Sequence, residues 1–95
     1  MVKSKSIDEI LSGWNVYSRP KKGDIFRHYK GSEYEIVETG FIENGGEPAI
    51  IYKSLDKGVV WIRTAENFYE TIVENKIELQ RFKQQITASK DSSVS

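Results

Sequence analysis

From Asp24 the pattern of apolar and polar positions becomes that of β-strands, in short runs separated by glycine turns and broken at 64–69, and predicts a β domain. Ile25-Phe26-Arg27-His28-Tyr29 reads as the first strand, and Lys30-Gly31-Ser32 as a tight connection out of it. Residues 33–42 read as a long second strand, with Tyr34 and Ile36 on one side and Glu35 and Val37 on the other. The alternation fails at Glu38-Thr39-Gly40, where a glycine suggests a bulge or bend of the kind that curls a sheet. Asn44-Gly45-Gly46 is a hairpin signal, residues 49–54 form a third strand, and Leu55-Asp56-Lys57-Gly58 turns the chain into a fourth over 59–63. The register of this last hairpin stays open by one residue, so the pattern does not decide whether Tyr52 opposes Trp61.

The flanks read differently. Ser6-Ile7-Asp8-Glu9 matches a capping box opening a short helix with Ile7, Ile10 and Leu11 on one face, and Gly13 is placed to end it in a left-handed conformation. Pro20 to Gly23 is a turn. Past the fourth strand, Thr64 can cap a single helical turn with Phe68 packing down as a plug. A final strand pair over 70–74 and 77–82 turns on Asn75-Lys76, where Asn tolerates positive φ. Residues 1–5 are expected to fray, and from Gln84 the pattern is lost into a Ser-rich, disordered tail. The expected division is residues 1–21 as helix and lead-in, 22–83 as the β domain and 84–95 as tail. The fold class is mainly β, a small SH3-like curled barrel of about five to six antiparallel strands, with a short N-terminal helix and one helical turn before the last strands.

Composition narrows the function classes. Ninety-five residues suit one small domain with a modest core. The start of the chain lacks the form of a secretory signal, and no apolar run approaches the roughly 20 residues of a membrane span. Cysteine is absent and histidine occurs once, which leaves no disulfide, no thiolate nucleophile and no multi-histidine metal site. No metal or cofactor is expected, and the cytoplasm is the default compartment. Net charge is zero, which weighs against a strongly electrostatic nucleic-acid binder, yet the charge is split. Residues 16–31 carry Arg19, Lys21, Lys22, Arg27 and Lys30 against Asp24, whereas 32–48 carry five glutamates and no base. Neighbouring strands that balance one another explain the split; a separate basic patch is the alternative.

The series Phe26-Arg27-His28-Tyr29-Lys30-Gly31, Tyr34-Glu35-Ile36, Ile51-Tyr52-Lys53, Trp61-Ile62-Arg63, Phe68-Tyr69-Glu70-Thr71 and Arg81-Phe82 resembles the bacterial domain-of-unknown-function family sixteen-fifty-three over residues 22–83. The resemblance implies an SH3-like β-roll and no assigned activity. The chain departs from that pattern where Arg63-Thr64 stands for Arg-Pro, Asn75-Lys76 for Asp-Gly, and Gln80 for a proline before the closing Arg-Phe. These departures relax the turn after Arg63 and the final hairpin without removing a reactive group.

The candidate site is a cluster of rings and cations: Arg27, His28, Tyr29, Lys30, Tyr52, Trp61 and Arg63. Each residue alone is explained by packing or an ion pair, Arg63 by Glu35, Glu66 or Glu70, and His28 by a hydrogen bond across the strand or to a turn. Together they offer stacking faces beside cationic donors. The expected function is non-enzymatic binding of a protein, a peptide or another extended anionic partner, with no membrane involvement, by a monomer or weak homodimer. Single-stranded nucleic acid or nucleotide binding is one alternative. An enzyme or its accessory subunit using His28 and Arg63 is another, and it requires a pocket with an acidic group near His28. A structural module pairing through a strand edge is a third.

Overall fold

The computed structural model describes residues 5–85. Its first element is set by two reciprocal bonds: the Glu9 N–H donates to Ser6 Oγ at 3.2 Å, and the Ser6 N–H donates to Glu9 Oε1 at 2.9 Å. This is the expected capping box, and it starts α1 (Ile7–Leu11). Gly13 does not terminate the helix as expected. The chain continues into a 3-10 turn (Ser12–Val16), and Gly13 is absent from the glycines with positive φ. Its small size matters instead, since a Cβ there would lie 3.0 Å from Pro48 Cγ. Gly46 plays the matching part on the other side: it has φ +72°, and a Cβ would come within 2.8 Å of Ile10 Cγ1. Two glycines thus let a helix too short to persist alone dock against the sheet.

The strands are β1 (Ile25–His28), β2 (Glu33–Phe41), β3 (Pro48–Ser54), β4 (Val60–Thr64), β5 (Thr71–Glu74), β6 (Ile77–Gln80) and β7 (Phe82–Gln85), with α2 (Ala65–Phe68) between β4 and β5. Five of them make one antiparallel sheet in the order β4-β3-β2-β1-β7, and β5-β6 is a separate hairpin. The expected final strand over 77–82 is two strands, because the chain breaks at Arg81 and β7 crosses to pair with β1. Gln84 and Gln85 belong to that pairing, so the β domain runs past the expected boundary at 83. The expected tail beyond them and the fraying of the first four residues lie outside the described residues.

β4 and β7 share no backbone pairing, so backbone bonding leaves the described sheet open. A flat sheet would hold these strands about 19 Å apart, four spacings of about 4.8 Å. Yet the Arg63 guanidinium of β4 is 5.9 Å from the Phe82 ring of β7. The sheet is therefore strongly curled, and side chains bridge the seam that hydrogen bonds leave open. The bulge that helps it curl falls between Ile36 and Glu38, not at Gly40, which pairs regularly with Ala49. A β-branched Val37 gives the sequence no bulge signal.

The core packs Trp14, Phe26, Ile36, Ile50, Tyr52, Ala65, Phe68 and Phe82. Phe68 is 0% exposed and stacks on Phe82 with centroids 4.3 Å apart and planes 4° apart. α2 exists to deliver it: Thr64 Oγ1 accepts the Asn67 N–H at 3.2 Å, as the sequence led us to expect. Tyr69 ties the lead-in to the body by donating its hydroxyl to the Ser18 carbonyl while its ring stacks on Tyr17. Trp14 joins the same core, so the lead-in is structurally continuous with the β domain.

Asn75 and Lys76 both take positive φ, 53° and 64°, which is the geometry of a tight two-residue hairpin turn. Asn tolerates it; Lys is strained by about 1 kcal/mol. Lys76→Gly is expected to relieve that strain and slow amide exchange at Ile72 and Leu79, a pair bonded across the hairpin, several-fold, measured by hydrogen exchange.

Candidate functional site

The register left open by the sequence is settled by five pairs from Ala49↔Thr64 to Lys53↔Val60, with Tyr52 directly opposite Trp61. Residues 50, 52, 61 and 63 therefore share the concave face, and Ile51 and Ile62 share the convex one. Trp61 and Arg63 lie at the rim of the concave face, where the curled sheet fails to close.

There a pocket of about 170 Å³ is lined by His28, Tyr34, Tyr52, Trp61, Arg63 and Phe82. Each strand of the five-stranded sheet supplies at least one of these residues. Tyr52 is 4% exposed and its ring is core, packed 5.4 Å from Phe68 and 5.2 Å from Phe82. Its hydroxyl accepts the Arg63 Nε–H at 3.0 Å and so aims the guanidinium. Tyr34 packs edge-on against Tyr52 at 5.3 Å, and Trp61, 51% exposed, forms the open wall.

None of the three glutamates expected as a structural partner takes Arg63. The ion pairs among the described residues are Lys22–Glu38, Arg27–Glu33 and Arg81–Glu70, at 3.8, 3.1 and 2.7 Å. Arg63 is half-buried, in a pocket it shares with Tyr34, Tyr52, Trp61 and Phe82, and no carboxylate of the described residues lies within 4.0 Å of it. A partly desolvated cation with no carboxylate partner among the described residues can gain from an incoming anion.

His28 faces the same pocket. Its Nδ1 accepts the Lys30 backbone N–H at 3.2 Å, which assigns the ring proton to Nε2. Burial holds its affinity for a second proton below the ordinary 6.5, and Arg81, Arg63 and Lys30 act in the same direction. The sign follows from linkage. As pH falls through about 6.5, the unfolded chain takes up a proton that folded His28 resists, so the fold loses stability there and keeps it at higher pH. His28→Gln is expected to flatten that part of the stability profile, measured by denaturant melts across the range.

The seven candidate residues do not form one surface. His28, Tyr52, Trp61 and Arg63 converge on the pocket; Arg27, Tyr29 and Lys30 do not line it. Alternation is the reason: Phe26 and His28 turn inward, so Arg27 turns outward, where it pairs with Glu33 and lies opposite Lys83. Tyr29, read as strand, lies one residue past β1, with its N–H on the Arg81 carbonyl at 2.9 Å and the Lys30 ammonium 5.7 Å from its ring. Arg27 and Tyr29, with the other side of His28, border a second concavity of about 360 Å³ with Glu78, Gln80, Lys83 and Gln85. Of the five bases in 16–31, Arg27 balances Glu33 across the β1–β2 pair and Lys22, in the turn before β1, reaches Glu38.

Two pocket residues are missing from the candidate set, Tyr34 and Phe82. Tyr34 was legible, since it alternates in step with the inward Ile36; Phe82 needed the crossing of β7, which no local pattern announces. Arg81 is a staple, joined to Glu70 through both its side chain and its backbone N–H. Among the described residues no three His, Asp or Glu side chains gather as a metal site, and no helix is long and apolar enough to cross a membrane.

Comparison with known proteins returns no curated protein that matches the chain. A solved structure of a protein of the DUF1653 family from Bordetella bronchiseptica is similar, with 21% identity, a TM-score of 0.59, and coverage of 74% of this chain and 95% of that one. At that identity the likeness shows a shared fold. The DUF1653 family model, described as a protein of unknown function, matches residues 24–84, close to the span of the sequence resemblance, and the chain belongs to that family.

Proposed function

We propose that the chain is a non-enzymatic binding module whose seam pocket receives an anionic group from an extended protein or peptide. The observation that carries this reading is the Arg63 guanidinium, oriented by Tyr52 and without a carboxylate within 4.0 Å among the described residues. Its terminal N–H groups have the fork geometry that a carboxylate accepts bidentately. Trp61 supplies an exposed stacking wall beside it, and a volume of about 170 Å³ suits a side chain better than a whole metabolite. Binding is favoured over catalysis because, among the described residues, none that lines the pocket with His28 is acidic, and the His28 Nδ1 is already engaged by the Lys30 N–H.

Titration with acidic peptides and with single-stranded oligonucleotides, followed through Trp61 emission, tests the reading. Trp14 is buried, and Trp61→Phe gives its background. Peptide binding with a shallow salt dependence supports the reading. Preference for oligonucleotides with a steep salt dependence overturns it in favour of nucleic acid.

A further inference from the structure

The two edges of the five-stranded sheet are built differently. β7 ends it with Phe82-Lys83-Gln84-Gln85, three polar residues out of four, one of them a lysine. Such an edge is guarded against pairing with another chain. β4 ends it on the other side, and Val59, Val60, Trp61 and Ile62 precede Arg63 with no lysine, proline or bulge among them. Val60 is 53% exposed and Ile62 64%. An apolar, regular, exposed edge is one that selection normally removes, unless pairing is its use.

The backbone of β4 is poised for pairing. The Ser54 N–H donates to the Val59 carbonyl, which makes Ser54/Val59 a hydrogen-bonded pair. Antiparallel pairs alternate in kind, so Trp61 and Arg63 bond to β3 while the N–H and C=O groups of Val60 and Ile62 point away from it. Among the described residues β4 pairs with β3 alone, so those groups face the open edge.

We infer that β4 accepts an extended peptide of alternating acidic and apolar residues as an added strand. This rests on the pocket reading above and specifies its partner. Residues of an added strand opposite Val60 and Ile62 would lie on the convex face and extend the apolar pair Ile51–Ile62. Residues between them would lie on the concave face, where Arg63 has no carboxylate partner among the described residues. Main-chain bonds hold the segment, and charge selects it.

The test uses the full chain and a capped peptide of alternating Glu and Val, with the same peptide N-methylated on alternate residues as a control. The unmodified peptide should quench Trp61 and slow amide exchange at Val60 and Ile62 about tenfold at saturation. The N-methylated peptide and a Lys/Val peptide should do neither, and Ile62→Lys should remove the protection. If both Glu/Val peptides quench Trp61 equally and leave those amides unprotected, strand addition is wrong while the pocket reading survives. If protection arises without peptide and grows with protein concentration, the edge pairs with a second copy and the peptide inference is overturned. No response of Trp61 or Arg63 to either peptide removes both readings.

Discussion

Phe68→Ala is expected to cost the fold about 3–5 kcal/mol, enough to leave much of the chain unfolded at ambient temperature. The ring is fully buried and meets Phe82 face to face, and it touches Phe26, Tyr52 and Tyr69 edge-on at 5.1, 5.4 and 5.3 Å. Its removal would open a void at the point where α2, β1, β3 and β7 converge, and a helix of four residues cannot slide inward to fill it. Aromatic pairs add to the area term, so the loss falls toward the upper part of the range. Denaturant melts measure it directly. Phe68→Leu, which keeps most of the volume, should recover more than half of the difference. A loss below about 1 kcal/mol would mean that the plug does not close the curled sheet.

The second large effect concerns binding. Arg63→Gln is expected to weaken an acidic peptide at least tenfold, since a charge-assisted hydrogen bond contributes about 1.5–3 kcal/mol. Arg63→Lys should recover only part of this, because an ammonium keeps the charge and loses the planar fork. Neither change should unfold the chain. The single side-chain hydrogen bond Arg63 makes within the described residues goes to the Tyr52 hydroxyl, and losing it costs about 1 kcal/mol. Isothermal titration alongside a thermal melt separates the two effects. A stability loss as large as the affinity loss would make Arg63 a structural residue.

Much of the fold was legible because its signals are local. The capping box at Ser6, the glycine turns at 45–46 and 58, and the Thr64-capped turn carrying Phe68 each depend on residues within a few positions of one another. Alternation likewise gave the β1 to β4 strands to within a residue or two. What escaped the sequence depends on distant partners. Whether the chain breaks at Arg81 is decided by the bonds its backbone finds at Glu70 and Tyr29, and these fix where β7 begins. The bulge at Val37 is set by how β2 and β3 must curl. The candidate site divides along the same line. Rings and cations were found by type, but the faces they take follow from register and strand ends. Arg27 and Lys30 therefore stand apart from the pocket, while Tyr34 and Phe82 complete it.

The proposal turns on the Arg63 guanidinium at the seam of the curled sheet, which has no carboxylate partner among the described residues. Nitrogen-15 NMR of the Arg63 Nε–H and the Trp61 indole N–H, followed while the Glu/Val peptide is added, tests it most directly. The account predicts that both resonances move together and saturate, with Arg27 and Lys30 unmoved. Uniform small shifts at every exposed cation, with Arg63 and Trp61 no different from the rest, would contradict it.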